Sequence, residues 1–396
     1  MEKMKVSVVS RTTLKPSIPT PHHLRKFNLS LLGQDVLAIH YGSVIFFYPA
    51  DNIESIASTE SMCQLKDVLA NPDTELLKEL VPSTHPNTIR STLACILLVQ
   101  LTSFACGGTA VAISVSQKVA DASSFCTFIQ SWTAMCGRDY GTVELPKLVG
   151  ASLLPPLDMV TASVPPPPTT RNCTTKRFVF HEPQIKNLKA RVATAMGQQQ
   201  HVRDAEIVLG IILRCASAAS QSKSSALLNV VNLRKRMVPP LPGNTIGNLI
   251  LKYAVMFDEN DVEVHQLVSK MKAEFTNVCM DKVRGIKSKK GYKQIGESRK
   301  QIARLLNGKS RDINTYTCTN LCGYPFHEMD FGWGKPIWVT SPSDFKNSIV
   351  LLDSKWGGIE AWITLDHLEM AIFEHDKELG ALASLNPSVL INYSRI

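Results

Sequence analysis

No stretch of the 396-residue chain approaches the ~18 apolar residues that a membrane-crossing helix needs. Its opening, MEKMKVSVVSRTTLKPS, also lacks the apolar core of a secretory signal. Both absences point to a soluble, cytoplasmic protein with no membrane partner. The ten cysteines (Cys63, Cys95, Cys106, Cys126, Cys136, Cys173, Cys215, Cys279, Cys318, Cys322) include no CxxC pair, and the nearest two, Cys318 and Cys322, have no partner cluster. Scattered through apolar runs, they read as reduced, buried thiols, and no metal site is expected. A GxSxG elbow, an HExxH helix and a protease-type Cys and His signature are missing too. His181, His327, His367 and His375 read as surface or packing histidines.

What is present describes a globular chain: 44% hydrophobic and 19% charged residues, with enough length for two domains of roughly 150 to 200 residues. Net charge is +9, but it is concentrated. Between Lys282 and Arg311 eleven Lys and Arg stand against one Glu, so this segment carries +10 and the rest of the chain is nearly neutral at −1. With Tyr292 its only aromatic residue, the segment reads first as a solvated helix pair or loop. A contact for a phosphate-bearing ligand comes second, through Lys289 and Lys290, and nucleic acid is not expected.

Four consecutive prolines in ASVPPPPTTRNCTTK impose an extended spacer that can join neither a helix nor a central strand. They divide the chain into an N-terminal domain (1–161), a linker (162–176) and a C-terminal domain (177–396). Residues 43–48, 93–104 and 109–116 predict strands before the spacer, and 122–136 predicts a helix with Phe125, Phe128, Ile129 and Trp132 on one face. After it, strands are predicted at KRFVFHE, 226–234, 348–354 and 358–366, and helices at 185–196, 205–219 and 262–283. Strands alternate with helices in both halves, so the class is α/β with two sheet-containing domains.

Three strings invite a chemical reading. In FACGGTAVAISVSQKVADASSF a turn and a buried strand end at Gln117, and Asp121 follows on the first turn of a helix. A histidine at 117 would be a plausible general base, but an amide cannot take a proton from an alcohol. In DFGWGKP, Gly332 and Gly334 around Trp333 permit a tight turn, which reads as a rigid structural loop with Trp333 buried beneath it rather than a phosphate cradle. In NLRKRMVPPLPGNTIGN, Arg234 and Arg236 close a strand. A structural ion pair is the simpler reading for them, with Asp121 or Asp330 as partner.

Together with LKPSIPTPHHLRKFNLSLLGQD near the start and YPFHEMDFGWGKPIW near the end, these strings resemble the BAHD acyltransferases over nearly the whole chain, closest to an alkaloid-acylating branch. The resemblance implies two chloramphenicol-acetyltransferase-like domains with mixed sheets and flanking helices, and an active-site channel between them. It also implies a monomer acting on acetyl-CoA or another acyl-CoA and a small-molecule acceptor alcohol or amine. In the family's HxxxD motif the histidine deprotonates the acceptor. Gln117 occupies that position here, Asp121 inherits the structural aspartate with Arg234 or Arg236 as its partner, and Thr319 falls where a hydroxyl can bind the oxyanion. Asp330, Gly332, Trp333 and Gly334 would support the fold away from the reacting atoms. The segment after FFYPADN is shorter than the family pattern. Two readings follow: an O-acyltransferase of specialised metabolism, slowed by the loss of its base, or a non-catalytic member that binds a small molecule or partner through the inherited channel.

Overall fold

The computed structural model describes residues 6–22, 25–34, 36, 40–50, 64–82, 95–137, 141, 145–156, 172–197, 201–261, 263–306, 313–343 and 345–390. The prolines of the spacer, and residues 51–63, which begin within FFYPADN, lie outside that set.

Two sheets organise the chain. The first takes β1 (Tyr41–Tyr48), β2 (Leu97–Ser103) and β3 (Thr109–Ser116) from the N-terminal half. Its order is β2-β3-β1 and then β8 (Trp338–Thr340), with each described pair antiparallel. β8 comes from the other half of the chain and pairs with β1 directly after the DFGWG loop. VIFFY in β1 is uniformly buried because β1 is central and both its faces are covered. α1 (Ala122–Cys136) covers this sheet with Phe125 and Ile129, which are buried, while Phe128 is left half-exposed.

The second sheet has seven strands and is mixed. Its strands are β4 (Cys173–Phe180), β5 (Ser224–Asn232), β6 (Ile250–Asp258), β7 (Ile313–Asn320), β9 (Ser348–Asp353), β10 (Ile359–Asp366) and β11 (Ala383–Leu385). The order is β11-β4-β10-β9-β7-β5-β6, with β7 parallel to both β5 and β9. Sequence reading begins the strand after the spacer at Lys176, but β4 starts at Cys173, because Cys173 to Lys176 find partners along β10. Helices α2 (Glu182–Ala195), α3 (Asp204–Ser220) and α4 (Val264–Asn277) flank this sheet. α3 is apolar almost all round, IVLGIIL, and its residues from Ile207 to Leu213 are all buried, as a helix enclosed by neighbours must be.

The basic segment forms α5 (Lys289–Leu306), whose sides separate by helical period. Ile295, Ser298, Ile302 and Leu305 are buried, with Ile302 and Leu305 against Ala226 and Leu228 of β5, and Lys290, Lys293, Lys300 and Arg304 are exposed. Among the described residues no helix is long and apolar enough to cross a membrane, and no cluster of His, Cys, Asp and Glu could hold a metal ion.

Candidate active site

The turn that follows β3 is fixed from both sides. Gln117 donates its backbone N–H to the carbonyl of His40 at 2.8 Å, and its own carbonyl accepts from Asn248 Nδ2 at 2.7 Å. Its side chain is exposed into a cavity of 3680 Å³. Four residues on, Asp121 is the N-cap of α1, and its Oδ1 accepts from Ser124 N–H at 2.9 Å.

Asp121 is also half of a buried ion pair. Arg234 reaches it through both terminal nitrogens, Nη1 to Oδ2 at 2.7 Å and Nη2 to Oδ1 at 3.0 Å, and the two side chains are 2% and 1% exposed. The remaining donors and acceptors are occupied. Arg234 also donates to the carbonyls of Thr245 and Gly247 and to Ser124 Oγ, while Asp121 Oδ2 accepts from Leu249 N–H at 2.9 Å. Such saturation is what a buried pair requires, because an unmatched charge in this environment is expensive. The pair therefore clamps the turn after β3 to the loop 245–249 of the other half. Arg236 does something else: its guanidinium lies 5.5 Å over the Phe275 ring, and it lines the cavity.

Asp330 meets no arginine among the described residues. Its Oδ1 accepts from the backbone N–H groups of Gly332 and Gly334 at 2.7 and 2.9 Å, closing the DFGWG turn on itself. Both glycines have positive φ, +102° and +98°, where a Cβ would be strained. The expectation that Trp333 is buried beneath this turn fails. Trp333 is 50% exposed, and Phe331 is the ring that enters the core, 5.1 Å from Trp132. The positive φ at Gly332 turns the chain outward after one inward residue. Replacing Asp330 with alanine removes the acceptor of two N–H groups on an exposed turn, and equilibrium unfolding should show a loss of about 1 to 2 kcal/mol. Catalytic constants should change little, since none of DFGWG lines the cavity.

Thr319 lies near the end of β7. Strand alternation sends Tyr316 and Cys318 into the core and turns Thr317 and Thr319 toward the cavity, which Gln117 also lines. Lys290 is exposed at the start of α5 and does not line the cavity; the side chain of Lys289 lies outside the described set. Sequence reading missed Asn248, which holds the Gln117 carbonyl. It also missed Ser123 Oγ, which accepts from Asn232 Nδ2 at 2.7 Å and shares a hydrogen bond with the Tyr324 hydroxyl at 2.9 Å. Small polar residues in loops give no signal until the chain segments that they join are known.

A two-sheet α/β fold with a buried Asp–Arg clamp beside a large shared cavity defines a class, that of the CoA-dependent acyltransferases. Residues 55–380 match the Transferase family, and the chain belongs to it, as a BAHD acyltransferase. Akuammiline synthase 1 of Alstonia scholaris is 33% identical over 95% of this chain and 97% of its own length. Salutaridinol 7-O-acetyltransferase of Papaver somniferum is 28% identical over 94% and 97%. The crystal structure of vinorine synthase shares the fold at a TM-score of 0.78, with 24% identity over 96% of this chain and 99% of that one. The alignment with the Alstonia protein spans 424 positions against the 396 residues here, so that relative carries residues this chain lacks.

Proposed function

We propose that the protein transfers an acyl group, acetyl in the first instance, from an acyl-CoA to a hydroxyl of a plant alkaloid or terpenoid, acting as a cytoplasmic monomer of two domains joined by the 162–176 spacer. The observation that carries this reading is the single 3680 Å³ cavity that reaches both Gln117 and Thr319. Drug-sized ligand sites occupy roughly 300 to 1,000 Å³, so there is room for a thioester and an acceptor together. Four relatives are O-acetyltransferases by name, and F. graminearum TRI101, which has the same fold at a TM-score of 0.66, is complexed with coenzyme A and deoxynivalenol. These names favour the catalytic reading over a non-catalytic one.

In the proposed reaction the Gln117 side-chain amide hydrogen-bonds the acceptor hydroxyl and aims its oxygen at the thioester carbonyl. Thr319 donates to the oxyanion that forms, and collapse of the tetrahedral intermediate expels the thiolate. Asp121 and Arg234 hold the turn that carries Gln117. Contact of Lys289 and Lys290 with the CoA phosphates is a secondary part of the proposal, since Lys290 stands outside the cavity lining. The proton of the acceptor must go to a group other than Gln117.

The test is release of free thiol from acetyl-CoA by the purified protein across a panel of alcohols and amines. Acceptor-dependent release supports the reading. Its absence both from the wild type and from Gln117→His, in which the family's base is restored, would reject it.

A further inference from the structure

The register of the first sheet places a titratable group beside Gln117. Tyr41 of β1 lies opposite Ser116 of β3, so the next rung sets His40 opposite Gln117, and the 2.8 Å backbone bond joins this pair. Residues directly opposite in an antiparallel pair present their side chains on the same face, with Cβ atoms about 4.5 to 5.5 Å apart. Gly42, two residues along that face, leaves space there: a Cβ on it would stand 3.4 Å from Gln117 Nε2. His40 and Gln117 both line the cavity.

The His40 ring makes no hydrogen bond to any described residue. Its Nε2 is buried without a partner among the described residues, and its ring meets Phe345 edge-on at 6.3 Å. Nδ1 is neither buried nor hydrogen-bonded to a described residue, so it is the ring nitrogen left open to a substrate in the cavity, while Nε2 carries the ring proton. Burial lowers its pKa below the ordinary 6.5, and the charge of Lys252 on β6 lowers it further. The imidazole is therefore neutral at pH 7, with a lone pair available.

We propose that His40 is the general base that replaces the family's histidine, taking the acceptor's proton while Gln117 orients the hydroxyl. This rests on the acyl-transfer reading. The acceptor O–H proton passes to the imidazole nitrogen as the oxygen bonds to the thioester carbonyl carbon. When the intermediate collapses the C–S bond breaks, and the departing thiolate takes the same proton from the imidazolium. The ring is then neutral again, ester and free CoA are the products, and no other reactant is needed.

Wild type, His40→Gln, Gln117→His and the double variant should be compared by acceptor-dependent thiol release, with melting curves as a check on folding. His40→Gln should lower kcat by about 10²- to 10⁴-fold and leave the KM for acetyl-CoA in place. In the wild type kcat/KM should fall with decreasing pH only below 6.5, as His40 gains a proton, and this limb should vanish in the variant. In the Gln117→His background the His40 change should have little effect. His40→Asn serves if His40→Gln loses the wild-type melting profile. Retention of kcat and of the acid limb by His40→Gln overturns the proposal, and so does a wild type that is inert while Gln117→His turns over. If neither turns over, acyl transfer itself is rejected, and the role of His40 with it.

Discussion

Replacing Arg234 with methionine is expected to cost about 3 to 5 kcal/mol of folding stability, the range found when one partner of a buried ion pair is removed. The size follows from what is left behind. Asp121 would stay 5% exposed with a carboxylate whose charged partner is gone, and its Ser124 and Leu249 N–H donors cannot balance a full charge. The Thr245 carbonyl would lose both of its guanidinium donors at the same time, and the Gly247 carbonyl would keep only Ser124 Oγ. Equilibrium unfolding of the two proteins in urea measures the difference. The double variant Asp121→Leu with Arg234→Met should recover part of the loss, because no charge is then stranded, but not all of it, because the Ser124 and Leu249 N–H groups lose their acceptor. Activity should fall in both, since the clamp holds the turn that presents Gln117. A single variant whose midpoint is unchanged would mean that the two halves are held together elsewhere.

How far these features could be read from the sequence depended on how many chain segments each one needs. β3 and α1 lie at the residues expected of them, because turn residues bound a continuous apolar run and a 3.6-residue period is complete within fifteen residues. β6 gives a weak signal although Leu251, Tyr253, Val255 and Phe257 alternate with less buried residues: it is an edge strand, and Lys252 and Met256 on its other face dilute its apolar content. β7 carries Thr and Asn where a parallel strand usually carries Val and Ile, and its place is set by β5 and β9 on either side. The choice between Arg234 and Arg236 could not be made locally, since both close the same strand; only the position of Asp121 across the interface separates them. His40 gave least of all. It lies 77 positions from Gln117, and only the β1–β3 register makes them neighbours.

Thr319→Val should lower kcat by about 10²- to 10³-fold, the usual effect of deleting one oxyanion donor, with little change in KM. The substitution keeps the side-chain shape and removes only the hydroxyl. Valine suits a strand as well as threonine does, and the position is solvent-exposed, so melting curves should nearly coincide. Thr317, which faces the same cavity two residues earlier, is the control: Thr317→Val should change kcat much less if position rather than general polarity matters. The division between kcat and KM decides what Thr319 does. A donor aimed at the oxyanion acts only once charge has developed on that oxygen, so its loss appears in kcat. A donor that holds the ground-state carbonyl equally well would instead raise KM and leave kcat alone, and that result would remove Thr319 from the chemical step while leaving it in the binding site.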